Sequence, residues 1–314
     1  MAHRPKNPAI PTRDGVSPSC VAVPHRKPMP WASVLDFLAE RLPALDRGAW
    51  AARLSAGLVV DDSAQPVNAT RPCEAGERLY YWRAVDNEPQ PPGEPVVRFA
   101  DDRLLVVDKP AFWPVTPGGR YARQSLMAWL KRHTGEPDLN PLHRIDRETR
   151  GLVVFNRRPA DRNAYHALFR DRAVHKVYEA IAPRDDARAW PVVRRTRLEE
   201  DVEAFFRMVE TDGPPNSETL IEPLEAHGPW ARYRLTPLTG KRHQLRVHLL
   251  GLGLPIAGDQ FYPRVRRGPD DPDDHHTPLR LLAQAIGFTD PVTGEPRHFT
   301  SGLALDWPDA PPEG

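Results

Sequence analysis

The run His143-Arg144-Ile145-Asp146-Arg147-Glu148-Thr149-Arg150-Gly151, leading into Leu152-Val153-Val154-Phe155, carries the strongest chemical signal in this 314-residue chain. A single aspartate stands between two arginines, just before an apolar strand. Nearby positive charge keeps a carboxylate ionised, the state that a nucleophile or a general base needs. The blander reading is a salt-bridged surface loop, and composition alone favours it. Asp146 and Glu148 could also be taken for a glycosidase pair, since two residues on one strand face stand about 6–7 Å apart, within the range such enzymes use. His275-His276, with aspartates around them, raise the question of a metal. Their spacing does not make a closed site. A flexible loop is the expectation there, and no metal.

The elements that must position these residues are legible in part. Ser33 with Asp36 has the pattern of a capping box at the start of SVLDFLAERL. Asp46 starts a second helical stretch, and Gly57 is a plausible stop. Residues 58–60 and 77–82 read as strands. Residues 96–109 read as a hairpin, 125–135 as a helix ended by Gly135, and 151–155 as a strand projecting from the Asp146 segment. Residues 160–171 read as a helix. Residues 175–182 and 231–238 alternate as strands do. Residues 242–253 look helical, and a C-terminal hairpin turns at 291–295. Residues 264–276 read as a polar loop.

Composition bounds the rest. Apolar residues make up 40% and charged residues 27% of the chain, which suits a soluble globular protein. No apolar run reaches the length of a membrane span, and the N-terminus lacks the apolar region of a secretory signal. The two cysteines, Cys20 and Cys73, exclude a disulfide scaffold and fit a reducing cytoplasm. Net charge is +1, which excludes a uniformly basic nucleic-acid binder. Two segments, 143–176 and 231–248, are locally basic. If they converge, they make one phosphate-binding patch that includes Arg157 and Arg158. From charge alone, solvated faces offset by acids are the preferred reading. Of the 37 prolines, seven fall in residues 1–30 and four in the nine residues 87–95. The expected organisation is a flexible basic arm (1–30), a small α+β module (31–86), a stiff linker (87–95) and a catalytic domain (96–314).

Four further motifs stand in order along the chain: Val107-Asp108-Lys109-Pro110, Lys176-Val177-Tyr178-Glu179-Ala180, Thr239-Gly240-Lys241-Arg242-His243-Gln244-Leu245-Arg246-Val247-His248-Leu249, and Pro255-Ile256-Ala257-Gly258-Asp259. With the Asp146 segment they resemble the RluA-type RNA pseudouridine synthases, across about residues 96–305. Any one of these motifs is weak, but together and in this order they are specific. Arg150 stands where the family usually has serine, and Lys241-Arg242 where it has Arg-Thr. The resemblance implies an α+β fold with a mixed, mainly antiparallel sheet flanked by helices. It implies isomerisation of specific uridines in structured RNA, rRNA or tRNA, without a cofactor.

By the same resemblance Asp146 is the catalytic carboxylate and Arg246 its charge partner, expected to lower its pKa. Tyr178 stacks on the flipped base and is a candidate to help remove its C5 proton. Arg144 fills the vacated stack. His143, Lys176, His243 and Gln244 are the remaining candidates for substrate contact, with His143 more often structural. No obligate protein partner is evident, no membrane is involved, and a monomer is expected. Residues 31–86 resemble, more loosely, a small RNA-binding module shared with a ribosomal small-subunit protein, but their net acidity argues against phosphate contact. A non-catalytic RNA-binding protein on the same scaffold and a base-releasing glycosylase are the alternatives. Intact Asp146, Tyr178 and Arg246 speak against the first, and product analysis separates the second.

Overall fold

The computed structural model describes residues 7, 9–85, 87–268 and 271–312. It divides into two compact units. One comprises the described residues up to Glu88 with 121–123 and 128–137, and the other comprises 89–120, 124–127 and the described residues from Asp138 on.

In the first unit β1 (Ser19–Ala22), α1 (Val34–Arg41), α2 (Arg47–Ser55), β2 (Val59–Val60) and β3 (Arg78–Tyr81) follow in order, and the sheet runs β1-β3-β2 with antiparallel pairs. The caps are where the sequence puts them. Ser33 accepts from Asp36 N while the Asp36 carboxylate accepts from Ser33 N, and Asp46 accepts from Ala49 N. Gly57 follows the second helix at φ +66°. Trp31, Phe37, Leu38, Trp50 and Leu79 form the core.

The flexible arm expected over residues 1–30 is corrected here, for the described part. Ser19–Ala22 pairs with Arg78–Tyr81, and the Trp82 indole donates to Pro11 O at 3.0 Å. Ile10, Val16 and Val23 are buried. The prolines flank this strand without interrupting it. Its partner lies some sixty residues downstream, so no local periodicity announces it.

The second unit is built on an eleven-stranded sheet. Its elements are β4 (Val96–Ala100), β5 (Leu104–Lys109), β6 (Asn140–Pro141), β7 (Arg150–Asn156), α4 (Arg162–Arg170), β8 (His175–Pro183), β9 (Val192–Glu200), β10 (Met208–Thr211), β11 (Ser217–His227), β12 (Trp230–Pro237), α5 (Gln244–Leu250), β13 (Leu281–Thr289) and β14 (Pro296–Thr300); α3 (Leu126–Thr134), whose residues are divided between the two units, precedes β6 in the chain. The strand order is β10-β9-β11-β12-β8-β13-β7-β5-β4, with β14 on β13 and β6 on β7. Among the described residues, only β13 and β7 pair in parallel. The fold is thus the expected α+β class, mixed and mainly antiparallel.

β5 is buried along its whole length, as its continuous apolar run implies for a central strand. Alternation sorts β8 between two cores. Ala180 and Ala182 pack with Leu245 and Leu249 of α5, and Ile181 packs with Trp230, Leu282 and Leu305. Tyr165 of α4 joins Leu104, Val106, Leu152 and Val154. The strands β9, β10 and β11, like the two-residue β6, are not legible in the sequence. β9 carries charges on both faces, and the last five residues of β11 are exposed. Neither offers the clean alternation that marks a half-buried strand.

Candidate active site

The Asp146 loop is a tight turn held from several sides. Leu142 N donates to Val154 O at 2.8 Å, Thr149 N closes the turn on Asp146 O at 3.2 Å, and the Lys109 ammonium donates to Arg147 O at 2.9 Å. His143 braces the same loop. Its Nε2 accepts from Val154 N at 3.2 Å and its ring stacks on Phe169, 5.1 Å between centroids. Burial pushes this imidazole down to about 3, so it stays neutral. Beyond the turn, Gly151 takes φ +110°, and a Cβ there would lie 2.4 Å from Ala283 O. Glycine is required at this point for β7 to approach β13 closely.

That approach sets the geometry of the site. Ala283 pairs with Gly151 on one side and with Tyr178 on the other. Gly151, Ala283 and Tyr178 therefore lie in one row across three strands, which puts the outer two roughly 10 Å apart. The small side chain of Ala283 separates the start of β7 from the tyrosine.

Arg246 comes in from α5, only 1% exposed, with its guanidinium placed among three carboxylates. Its Nε and Nη2 donate to Asp259 Oδ2 and Oδ1 at 2.7 and 2.6 Å. Its Nη1 lies 3.6 Å from Asp146 Oδ2 and 3.9 Å from Glu148 Oε2, and it makes no hydrogen bond. The Phe261 and Tyr262 rings cover the group. The Asp146 side chain keeps 24% of its surface exposed, enough for a substrate atom to reach it.

The expected pairing of Asp146 and Arg246 is thus present but secondary. The bidentate partner of Arg246 is Asp259, whose carboxylate also accepts from Phe261 N and Tyr262 N. Arg246 acts on the Asp146 pKa in the expected downward direction, but the net shift is upward. Desolvation raises it above the ordinary carboxylate value, the positive charge of Arg246 opposes that rise, and the negative charge of Asp259 adds to it. The Tyr178 phenol is raised too, by burial first and by Asp146 second, so it holds its proton. Lys109, fully buried, is pushed down to about 7 by desolvation.

The other candidates separate cleanly. Arg144 is exposed beside the carboxylate loop. Lys176 donates to Thr239 O at 3.2 Å. Two of the candidates for substrate contact, Gln244 and His243, are held by bonds within the fold. Gln244 Oε1 accepts from Thr239 Oγ1 and Lys241 N, and Nε2 donates to Glu218 O and Thr219 Oγ1, so its amide is saturated. His243 is buried against the Tyr262 hydroxyl, 3.0 Å from Nδ1.

Four arginines of the two basic segments are engaged away from the carboxylate loop. Arg157 and Arg158 follow the far end of β7, about 20 Å along the strand from its start, and contact Asp101 O and Asp102. Arg232 and Arg234 pair with Glu179, Glu225 and Glu222. Asp259, Lys109 and Glu148 carry more of the site than their motifs announced, since only tertiary contact shows whom they meet.

Known proteins resemble this chain. The family model "RNA pseudouridylate synthase" matches residues 103–250. The chain is 30% identical to an uncharacterized RNA pseudouridine synthase of Synechocystis sp. over 232 residues, covering 73% of this chain and 79% of that protein. It is 31% identical to the dual-specificity RNA pseudouridine synthase RluA of Haemophilus influenzae over 230 residues, covering 68% of this chain and 96% of that protein. The chain belongs to the RluA-type RNA pseudouridine synthases. It is an isomerase that converts uridine in RNA to pseudouridine. Among solved structures, human RNA pseudouridylate synthase domain containing 1 shares the fold, with a TM-score of 0.54, 23% identity, and coverage of 67% of this chain and 85% of that one. Among the described residues, no helix of this synthase is long and apolar enough to cross a membrane.

Proposed function

We propose that Asp146 is the reacting carboxylate of this synthase, acting on a uridine of structured rRNA or tRNA. The observation that carries this reading is one carboxylate at the start of β7, partly exposed, with the buried Arg246 Nη1 at 3.6 Å. The reaction breaks the bond from N1 of uracil to C1′, turns the base, and joins C5 to C1′. The C5 proton is then lost and N1 gains one, so the change is an isomerisation and no base is released. Asp146 serves this at the sugar while ionised, and Arg246 favours that ionised form against the desolvation that opposes it. Tyr178, two strands away in the same row, supports the base by stacking. Its raised pKa disfavours it as the acceptor of the C5 proton. Arg144, exposed next to the loop, fills the space left by the extruded uridine, a step that costs a few kcal/mol in a stacked strand. We place the protein in the cytoplasm, acting as a monomer.

The test is Asp146→Asn, which keeps the size of the side chain and removes its charge. The expected result is no detectable release of the C5 hydrogen from labelled RNA, with RNA binding retained. Activity within tenfold of the parent protein would sink the assignment. Free uracil among the products would favour the glycosylase reading. Mapping pseudouridine in cells with and without the protein identifies the RNA.

A further inference from the structure

The Arg246 Nη1 is buried, carries two hydrogens, and bonds to neither of the carboxylates that face it. At 3.6 and 3.9 Å both lie beyond hydrogen-bond range. A buried donor left unpaired is costly, so such an arrangement persists only where the acceptors are restrained. Glu148 is restrained. Its Oε1 accepts from Arg147 Nε at 3.0 Å and pairs with Arg147 Nη2 at 2.8 Å. Arg147 is fixed in turn. Its carbonyl accepts from Lys109, and its Nη1 donates to Asp273 Oδ2 at 2.7 Å. Asp273 is itself gripped by Arg120 Nη2 at 2.9 Å, and the neighbouring His275 ring packs on Phe112, 4.8 Å between centroids. Charges therefore alternate without a break from Arg120 through Asp273, Arg147 and Glu148 to Arg246. The loop expected to be free at 264–276 is tied at Asp273 to the residue beside Asp146.

We propose that Glu148 is a positioning residue of this reaction: held back by Arg147 and Asp273, it shares the Arg246 Nη1 with Asp146 and so sets how readily Asp146 ionises. The proposal rests on Asp146 being the reacting carboxylate. Release of Glu148 from Arg147 lets it reach Arg246 and leaves Asp146 with less of the donor. Removal of its charge leaves the donor to Asp146. The charged and titratable groups facing this pair are Arg147 on the same loop, Lys109 at the end of β5, Tyr178 on β8, Arg246 and His243 from the α5 segment, and Asp259 after it. None of these is changed by the variants below.

The experiment is the pH dependence of the single-turnover rate at saturating RNA, read on its acid limb. Glu148→Gln moves that limb down by half a pH unit or more, about threefold in the ionisation constant, with RNA affinity unchanged. Asp273→Asn loosens Arg147 and moves the limb up. The double variant follows Glu148→Gln, because without the Glu148 charge the looser Arg147 has nothing to release. A purely structural role would lower the rate without shifts of opposite sign. An unmoved limb in Glu148→Gln, or additive shifts in the double variant, overturns the proposal. Should Glu148→Gln fail to fold, Glu148→Asp retracts the charge from Arg246 and must move the limb down by a smaller step; an unmoved limb there also overturns it. Asp146→Asn runs beside these. If it stays active, the assignment of Asp146 has failed; if it is dead while the limbs stay fixed, only the role of Glu148 has.

Discussion

Arg246 bears two loads, and replacing it by methionine separates them. Methionine keeps an unbranched apolar stem in the space under Phe261 and Tyr262 and removes the charge. Asp259, also 1% exposed, then loses both of its guanidinium bonds and keeps only the amides of Phe261 and Tyr262. A buried, unpaired carboxylate escapes its penalty by taking up a proton, so the cost is capped by the cost of protonation. With an unfolded pKa near 3.9 and ~1.36 kcal/mol per pH unit, the cap is about 4 kcal/mol at pH 7 and about 1.5 kcal/mol at pH 5. The sign follows from linkage. Folding of the variant must bury an unpaired carboxylate, so the loss is greatest at high pH, where that group is charged, and shrinks as falling pH lets it enter the fold protonated. Urea unfolding of parent and variant at both pH values measures it. Arg246→Met/Asp259→Asn should regain most of the stability, because the Asp259 Oδ1 that accepts both amides is retained as an amide oxygen and no buried charge remains. Activity should not return, since Asp146 still lacks Arg246. Equal losses at pH 7 and pH 5, or no recovery in the double variant, would refute the reasoning.

Two further outcomes follow from the geometry. Gly151→Ala puts a methyl group 2.4 Å from Ala283 O at φ +110°; the strain alone is worth about 1–3 kcal/mol, and a thermal melt should show that loss together with loss of turnover as β7 shifts from β13. Arg144→Ala should lower single-turnover rates far more on a structured RNA than on a short unstructured strand, because only the first must be unstacked. Equal losses on both substrates would mean that Arg144 has another task, such as positioning Asp146.

The first unit shows how local signals and long-range pairing divide the work. Ser33 with Asp36, and Asp46 with Ala49, satisfy helix-end amides within three residues, so their roles are visible in a short stretch of chain. Ser19–Ala22 finds its partner at Arg78–Tyr81, and its prolines read as an arm until that partner is known. β9 and β10 stayed illegible for a related reason. They lie at the margin of the sheet, where charges are tolerated on both faces and periodicity is lost.

In the site itself the sequence determined the cast. An aspartate between arginines before an apolar run, a tyrosine on an alternating strand and an arginine on a helix were all legible, because motif order survives where contacts are still unknown. Tertiary structure decided who meets whom. The parallel pairing of β7 with β13 at Gly151 lines up Tyr178 with the carboxylate loop, and residues more than a hundred positions apart in sequence share that row. It gave Arg246 to Asp259 first, left Asp146 with the remaining nitrogen, and drew Asp273 to Arg147. Charge segments in the sequence left open whether one basic patch forms, and strand length carried Arg157 and Arg158 to the far end of β7. Residue types and their spacing follow from the chain alone. Which charges lie within 4 Å of one another, and how dry that place is, follows only from the packing, and those two quantities set the ionisation of Asp146.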